Sequence, residues 1–370
     1  MKRQEKALFQ LPQGAKNLAL GNAAIHRRIT ERITRSLAKW GYAPIETPVI
    51  DFYDIYNHVI NSDEEHQIYR LFDREGNLLA LRSDITLFLA KQLGLSVRTE
   101  DLPCRLFYAD SILRHQDKEA PESNEFYQLG AELVGKSDSH ADLEILHLAL
   151  ASIQSVYSAE IYLHLGSRKF FRLISSFLSR EDEKKLRKAV LNRDKKGFQK
   201  ILSSNNAQDD RITALSELCF FIGNTDQARK LISTPGIKAS ISSVEEAEIS
   251  YLLNLAEALG KSGHQERVRI DFSEIGTHAY YTGIAFQIYT KSVESAIASG
   301  GRYDDLLEHF GLNAPSVGFS FLPGKLVPSS IDRDIFTSPS PVEIQKDLTF
   351  QEKLSRITEL QEKGKTTIIV

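Results

Sequence analysis

The sequence predicts an α+β fold, an antiparallel sheet flanked by helices, with a helical insertion and a short C-terminal extension. Three observations lead there. Strand-like runs come in neighbouring pairs joined by turn-forming residues, as hairpins do, instead of alternating with helices. Amphipathic helical runs flank those pairs. Between about residues 167 and 262, strand character gives way to polar helical runs.

The first element, 22–40, carries Ile25, Ile29, Ile33, Leu37 and Trp40 at spacings of four and three, which predicts a helix with one apolar stripe, stopped by Gly41. Residues 43–51 read as an extended run at an edge or interface, because Pro44 and Pro48 cannot donate to a central ladder. Residues 67–72 and 78–82 predict a hairpin turning at Asp73-Arg74-Glu75-Gly76-Asn77, and a helix over 85–93 follows.

The second hairpin, 105–116 with 125–134, carries the functional signal. Along its second strand Tyr127, Leu129, Ala131 and Leu133 share one face, the one expected on the core. Gln128, Gly130 and Glu132 share the other. An amide and a carboxylate flanking a residue without a side chain leave room for a small ligand between two polar anchors. A solvated sheet face is the plainer reading of the same alternation.

A helix over 137–157, with Leu143, Leu146, Leu150 and Ile153 on one stripe, and a strand over 161–165 come next. Inside the insertion Lys184, Lys185, Arg187, Lys188, Arg193, Lys195, Lys196 and Lys200 form a basic cluster, read as a solvated helix face. Strands return at 267–272 and 280–290, and 316–321 is the last core strand. A linker over 328–341, a helix over 350–363 and a strand over 366–370 close the chain.

The net charge of −3 gives no electrostatic case for a nucleic-acid partner. Cys104 and Cys219 lie far apart without CxxC or histidine companions, so neither a disulfide framework nor a metal site is expected, and no cofactor motif stands out. No apolar run suits a signal peptide or a membrane span, which predicts a cytoplasmic protein.

Several segments, in order, resemble class II aminoacyl-tRNA synthetases, histidyl-tRNA synthetase in particular. Helix 22–40 with Gly41-Tyr42 and Thr47-Pro48 is similar to the dimer-interface motif 1. Leu81-Arg82-Ser83-Asp84-Ile85-Thr86 is similar to the amino-acid loop. The second hairpin, with Glu125-Phe126-Tyr127-Gln128-Leu129-Gly130-Ala131-Glu132, resembles motif 2. Tyr280-Tyr281-Thr282-Gly283 with Phe286, and Gly300-Gly301-Arg302-Tyr303-Asp304, resemble two segments of the histidine enzyme. The resemblance covers residues 1 to about 326 and leaves 327–370 as linker and helix–strand segment.

The departures point away from adenylation. The motif 2 loop reads Gln116-Asp117-Lys118-Glu119-Ala120-Pro121-Glu122, and carboxylates facing a triphosphate repel it. Where motif 3 carries arginine stands Lys325, after Pro323 and Gly324. The arginine expected before the tyrosine pair falls on Gly276, and its aspartate on Ala279. The remaining ~45 residues are too few for an ordinary anticodon-binding domain.

Such a core, with Phe107-Tyr108-Ala109-Asp110-Ser111-Ile112-Leu113 preceding Gln128-Leu129-Gly130-Ala131-Glu132-Leu133, resembles the regulatory subunits of ATP phosphoribosyltransferase, the first enzyme of histidine biosynthesis. That resemblance implies a subunit without chemistry of its own, a homodimer within a larger hetero-oligomer. Its partner would be a short-form catalytic subunit and its effector L-histidine, with no tRNA. Carried over, Asp84, Thr86 and Gln128 would hold the α-amino group, Glu132 and Tyr281 the imidazole, with Tyr280 alongside. Arg114 would be the carboxylate partner, since Gly276 supplies no charge. Two other readings remain: an enzyme that activates or transfers histidine, drawing on Arg82, Arg302 and Lys325, and a scaffold that binds nothing small.

Overall fold

Ile29, Ile33 and Leu37 fall on one face of helix α1 (Gly21–Lys39) and are buried, so burial of that stripe holds the helix against the rest of the chain. Trp40 does not join them. It lies past the helix end, 46% exposed beside His147, where the helix closes in a tighter turn, Trp40 N–H on Leu37 O, before Gly41 at φ +82° redirects the chain. The computed structural model describes residues 11, 12, 14, 15, 21–56, 59, 60, 62–115, 123–326, 331, 342–344, 349–365 and 367–369. The acidic turn 116–122 lies outside these residues, as does the 328–341 linker apart from Ile331.

After α1 come β1 (Ala43–Pro44), β2 (Ile50–Phe52), the short α2 (Ser62–Glu65), β3 (Arg70–Phe72) and β4 (Leu78–Leu81). Helix α3 (Ile85–Ser96) leads to the central hairpin, β5 (Cys104–Leu113) and β6 (Glu125–Val134), then to α4 (Ser139–Gln154) and β7 (Ile161–Ser167). The insertion supplies α5 (Arg168–Ser175), α6 (Arg180–Leu191), α7 (Lys195–Ser204) and α8 (Asp209–Cys219). It continues with β8 (Ile222–Gly223), α9 (Thr225–Ile232), α10 (Pro235–Ser240) and α11 (Ser243–Leu259). Strands β9 (Val268–Asp271), β10 (Ile284–Thr290), β11 (Val293–Arg302) and β12 (Ser316–Phe321) complete the core.

Nine strands form one sheet in the order β1-β5-β6-β12-β11-β10-β7-β9-β8, and β2-β4-β3 form a small second sheet. The large sheet is mixed, where the hairpin pattern of the sequence predicts an antiparallel one. β1 runs parallel to β5, and β7 runs parallel to β9. The second pairing follows from connectivity: the insertion joins β7 to β9, and a parallel pair needs a crossover of that kind.

The sheet is covered on both faces. Leu129, Ala131 and Leu133 enter a core shared with α4 and the insertion, through residues such as Leu148, Leu215 and Leu252. Tyr108 and Ile112 enter a second core with Leu87 and Phe88 of α3. Gln128 and Glu132 are therefore 1% exposed, neither at a solvated face nor at an open one.

The space above Gly130 is also filled. Residue 130 pairs with Tyr108 across the hairpin, and a methyl at 130 would come within 2.3 Å of the Tyr108 hydroxyl. The glycine makes room for a tyrosine of the same sheet, not for a ligand. Gly318 does the same for Glu132, whose Oε2 lies 1.4 Å from where a methyl at 318 would stand.

Arg82 and Arg302, two cations that the enzyme reading assigns to phosphate binding, are structural. Arg82 is fully buried and donates to Thr47 O and Oγ1 at 2.7 and 2.9 Å and to Ser111 O at 2.7 Å. It also pairs with Asp110 at 2.7 Å, so it ties the segment after β1 to β5. Arg302 pairs with Asp142 of α4 at 2.6 Å and with Asp304 at 2.9 Å.

Near the end of the chain β13 (Val342–Ile344) pairs in parallel with β14 (Thr367–Ile369) around helix α12 (Phe350–Glu362). The sequence reading expects the helix and the last strand but passes over β13, which is three residues long.

Arg82→Leu should destabilise the fold by about 3 kcal/mol or more, because it strands two carbonyls and a hydroxyl in the interior. Urea unfolding followed by circular dichroism measures this.

Candidate functional site

Asp84 sits one residue before α3 in an extended conformation, and its side chain does not cap its own helix. Gln128 on β6 caps the helix instead, its Oε1 accepting from Ile85 N–H at 3.1 Å. The same amide donates through Nε2 to Asp84 Oδ2 at 3.2 Å. Arg114, at the end of β5, points its fork at Ser83 O at 3.0 and 3.3 Å and stands 3.7 Å from Asp84 Oδ2. The other carboxylate oxygen, Asp84 Oδ1, is buried and has no hydrogen-bond partner.

Asp84, Gln128 and Arg114 line a cleft of about 410 Å³, with Glu64, His278 and Arg187 among its other polar walls. That volume suits a small ligand. Lys325 also lines it, on a single turn after β12, and donates to Ser295 Oγ at 2.9 Å and Ala296 O at 3.2 Å.

A second, inner space adjoins the cleft and shares Asp84, His278, Ser299 and Ser320 with it. Its floor is Glu132. Thr86, in the first turn of α3, donates to Glu132 Oε1 at 2.9 Å, Tyr108 donates to the same oxygen at 3.3 Å, and Tyr303 donates to Oε2. Burial pushes the Glu132 carboxyl up to about 8, and the charge of Asp84 pushes the same way against the hydroxyl donors. At neutral pH this acid is therefore mostly protonated, and one of the surrounding hydroxyls must turn to accept its proton.

Tyr280 and Tyr281 form the roof. Their rings meet at 5.1 Å, His278 stacks on Tyr280 at 4.9 Å, and His278 Nδ1 is held by Glu64 of α2 at 2.7 Å. The free volume beneath is about 10 Å³, roughly one water. The structure thus brings all seven residues singled out by sequence together: Asp84, Gln128 and Arg114 on the cleft, Thr86, Glu132, Tyr280 and Tyr281 around the inner space. Thr86 is committed to Glu132.

The sequence reading passes over Tyr108, Glu64, His278 and, above all, Arg187. Gly276, where the resemblance expects arginine, has φ +77°, and a methyl there would lie 2.3 Å from the Tyr281 ring. No side chain fits without moving the roof. Arg187 of α6 arrives at this point instead, donating through Nη2 to Thr277 O at 2.6 Å and Gly276 O at 3.4 Å. One member of the basic cluster therefore leaves the solvated face, Arg187, while Arg193 stays exposed and pairs with Asp271 at 3.0 Å. The lysines Lys184, Lys185, Lys188, Lys195, Lys196 and Lys200 stay exposed.

The family model described as histidyl-tRNA synthetase matches residues 14–326. An ATP phosphoribosyltransferase regulatory subunit of Bacillus velezensis is 30% identical over 86% of this chain and 81% of its own. The chain belongs to this histidyl-tRNA synthetase-like family of regulatory subunits. A regulatory subunit of the same name from Moorella thermoacetica is 29% identical over 84% of this chain and 79% of its own. Among solved structures, an ATP phosphoribosyltransferase regulatory subunit/histidyl-tRNA synthetase from Bacillus halodurans is similar with a TM-score of 0.80 at 25% identity, covering 98% of this chain and 92% of that one. A histidyl-tRNA synthetase from Nostoc, 19% identical with a TM-score of 0.75 over 98% of this chain and 86% of that one, shares the fold. In this family's class II fold, the buried acid on β6 is Glu132.

Its raised pKa has a consequence for stability. Below about pH 4.5 the carboxyl is protonated in folded and unfolded chains alike; between 4.5 and about 8 only the unfolded chain loses the proton, so stability falls as pH rises. Glu132→Gln, which imitates the neutral acid, should gain on the parent over that window, by up to roughly 1.4 kcal/mol per pH unit. Denaturant midpoints of both proteins at pH 4.5, 6 and 8 test it; a gap that stays constant with pH would rule out the buried titration.

Proposed function

We propose that the chain is the non-catalytic regulatory subunit of an ATP phosphoribosyltransferase, acting in the cytoplasm in the first step of histidine biosynthesis. In this reading it works as a homodimer within a hetero-oligomer containing a short-form catalytic subunit, and L-histidine is its effector. The observation that supports it best is the cleft itself. Asp84, oriented by Gln128 and Arg114, offers an unpartnered carboxylate oxygen to an ammonium group. The neutral acid Glu132 and the tyrosines lie directly inward, polar partners for a ring bearing nitrogens once Tyr280, Tyr281 and His278 make way for it.

The charge distribution favours regulation over adenylation. Phosphoryl and adenylyl transfer need cations placed where negative charge develops. Arg82 and Arg302 are tied into the fold by carboxylates and carbonyls, and Lys325 rests on Ser295 and Ala296. A regulator requires only that its ligand bind one assembly state better than another, and a coupling of about 1–3 kcal/mol suffices.

The deciding assay mixes the purified chain with its cognate short-form catalytic subunit, ATP and phosphoribosyl pyrophosphate, with and without L-histidine. The chain alone should show no turnover and no histidine-dependent pyrophosphate exchange, while its addition should change both the partner's rate and its histidine sensitivity. Turnover by the chain alone would favour an enzyme; an unchanged partner would remove the regulatory reading.

Asp84→Asn should weaken histidine binding roughly tenfold or more, the worth of one charge-assisted hydrogen bond. Titration calorimetry on the folded variant reads this directly.

A further inference from the structure

The cleft holds two buried polar atoms of opposite character without partners. One is Asp84 Oδ1, an acceptor on a carboxylate; the other is Arg187 Nε, a donor on a guanidinium. Both residues line the same cavity. A buried polar group left unpaired costs free energy, so each atom signals a partner, and the two signals have opposite sign. A nucleotide phosphate would answer only the guanidinium. A simple amine would answer only the carboxylate. An α-amino acid head group, ammonium and carboxylate on one carbon, answers both.

Arg187 is positioned to meet an anion. Its Nη2 is fixed on Thr277 O and Gly276 O, which leaves the Nε edge of the fork free. Near it stands Arg168, buried, with Nε and Nη1 also unpartnered and, among the described residues, Glu183 at 3.6 Å as its ion-pair partner. Burial and the charge of Arg187 draw the Arg168 guanidinium down to about 10, against the pull of Glu183. Of the carboxylates on this cavity, Glu64 is engaged by His278 and Asp84 by Gln128 and Arg114. The adjacent backbone cannot supply the charge, because any side chain at Gly276 collides with Tyr281.

We propose that Arg187, delivered by the insertion helix α6, is the specificity residue that anchors the carboxylate of the bound amino acid. Asp84 takes the ammonium end, so that the site reads both charges of the zwitterion. This inference rests on the reading that the ligand is L-histidine.

The test is titration calorimetry of the full chain with L-histidine and with histamine, which keeps the imidazole and ammonium but lacks the carboxylate. The wild type should prefer histidine. Arg187→Gln should cut the preference for histidine over histamine roughly tenfold or more, so that the two ligands converge; loss of its hold on the 276–277 backbone acts on both ligands alike and cancels in that ratio. Arg187→Lys should fall between, because an ammonium cannot reproduce the fork; it decides the matter if the glutamine variant does not fold. A variant that binds histidine like the wild type, or that loses both ligands equally, overturns the anchoring role and leaves the histidine reading intact. A wild type that binds neither ligand overturns both.

Discussion

A single desolvated acid ties the site to the fold. Glu132 takes hydroxyls from Thr86 on α3, Tyr108 on β5 and Tyr303 just after β11, so three elements converge on one carboxyl of β6. Burying that carboxyl is costly unless every hydroxyl partner is in place, the donors to it and the one that accepts its proton. The glycines around it follow as consequences. Gly130 yields space to the Tyr108 ring and Gly318 to the acid itself, so the sheet is thin where the network is thick. The apolar sides of β6, packed on α4 and the insertion, keep the strand from shifting register and losing the network.

Much of this is legible in the chain. Alternation along 125–134 sorts Gln128 and Glu132 from Leu129, Ala131 and Leu133 correctly, because period-two alternation is a local property. Gly130 reads in the sequence as space for a ligand, and the structure fills that space with Tyr108. The error has a physical source: a glycine announces a close approach but not by what. Burial of the polar face is likewise invisible in the sequence, since it depends on α3 lying over the sheet.

Arg187 marks the limit of sequence reasoning more sharply. It stands 89 residues from Gly276 in the chain, inside a run of seven other basic residues that looks like one solvated face. Helical rotation alone separates it from its exposed neighbours, and only the docking of α6 on the 276–277 backbone reveals which way it points. The change at Gly276 is legible as a loss of charge. That the insertion returns a charge to the same place is not, because charge delivered by tertiary contact leaves no local pattern.

The two cavities give this arrangement its mechanical meaning. A head group seated at Asp84 directs the rest of the ligand toward the inner space, where about 10 Å³ is free. A side chain larger than one water enters only if Tyr280, Tyr281 and His278 move, and the roof is latched at two points. His278 is held by Glu64, and the backbone of Gly276 and Thr277 is held by Arg187. Opening the roof breaks a contact with α2 or with α6, and under the proposed function ligand affinity would then depend on where those helices sit. That dependence is the form a coupling free energy takes in a packed protein: a ligand shifts an equilibrium only by binding one arrangement better than the other. Here one arginine lies on both sides of that balance, its Nη2 on the roof backbone and its side chain lining the cleft, which links the insertion to the site.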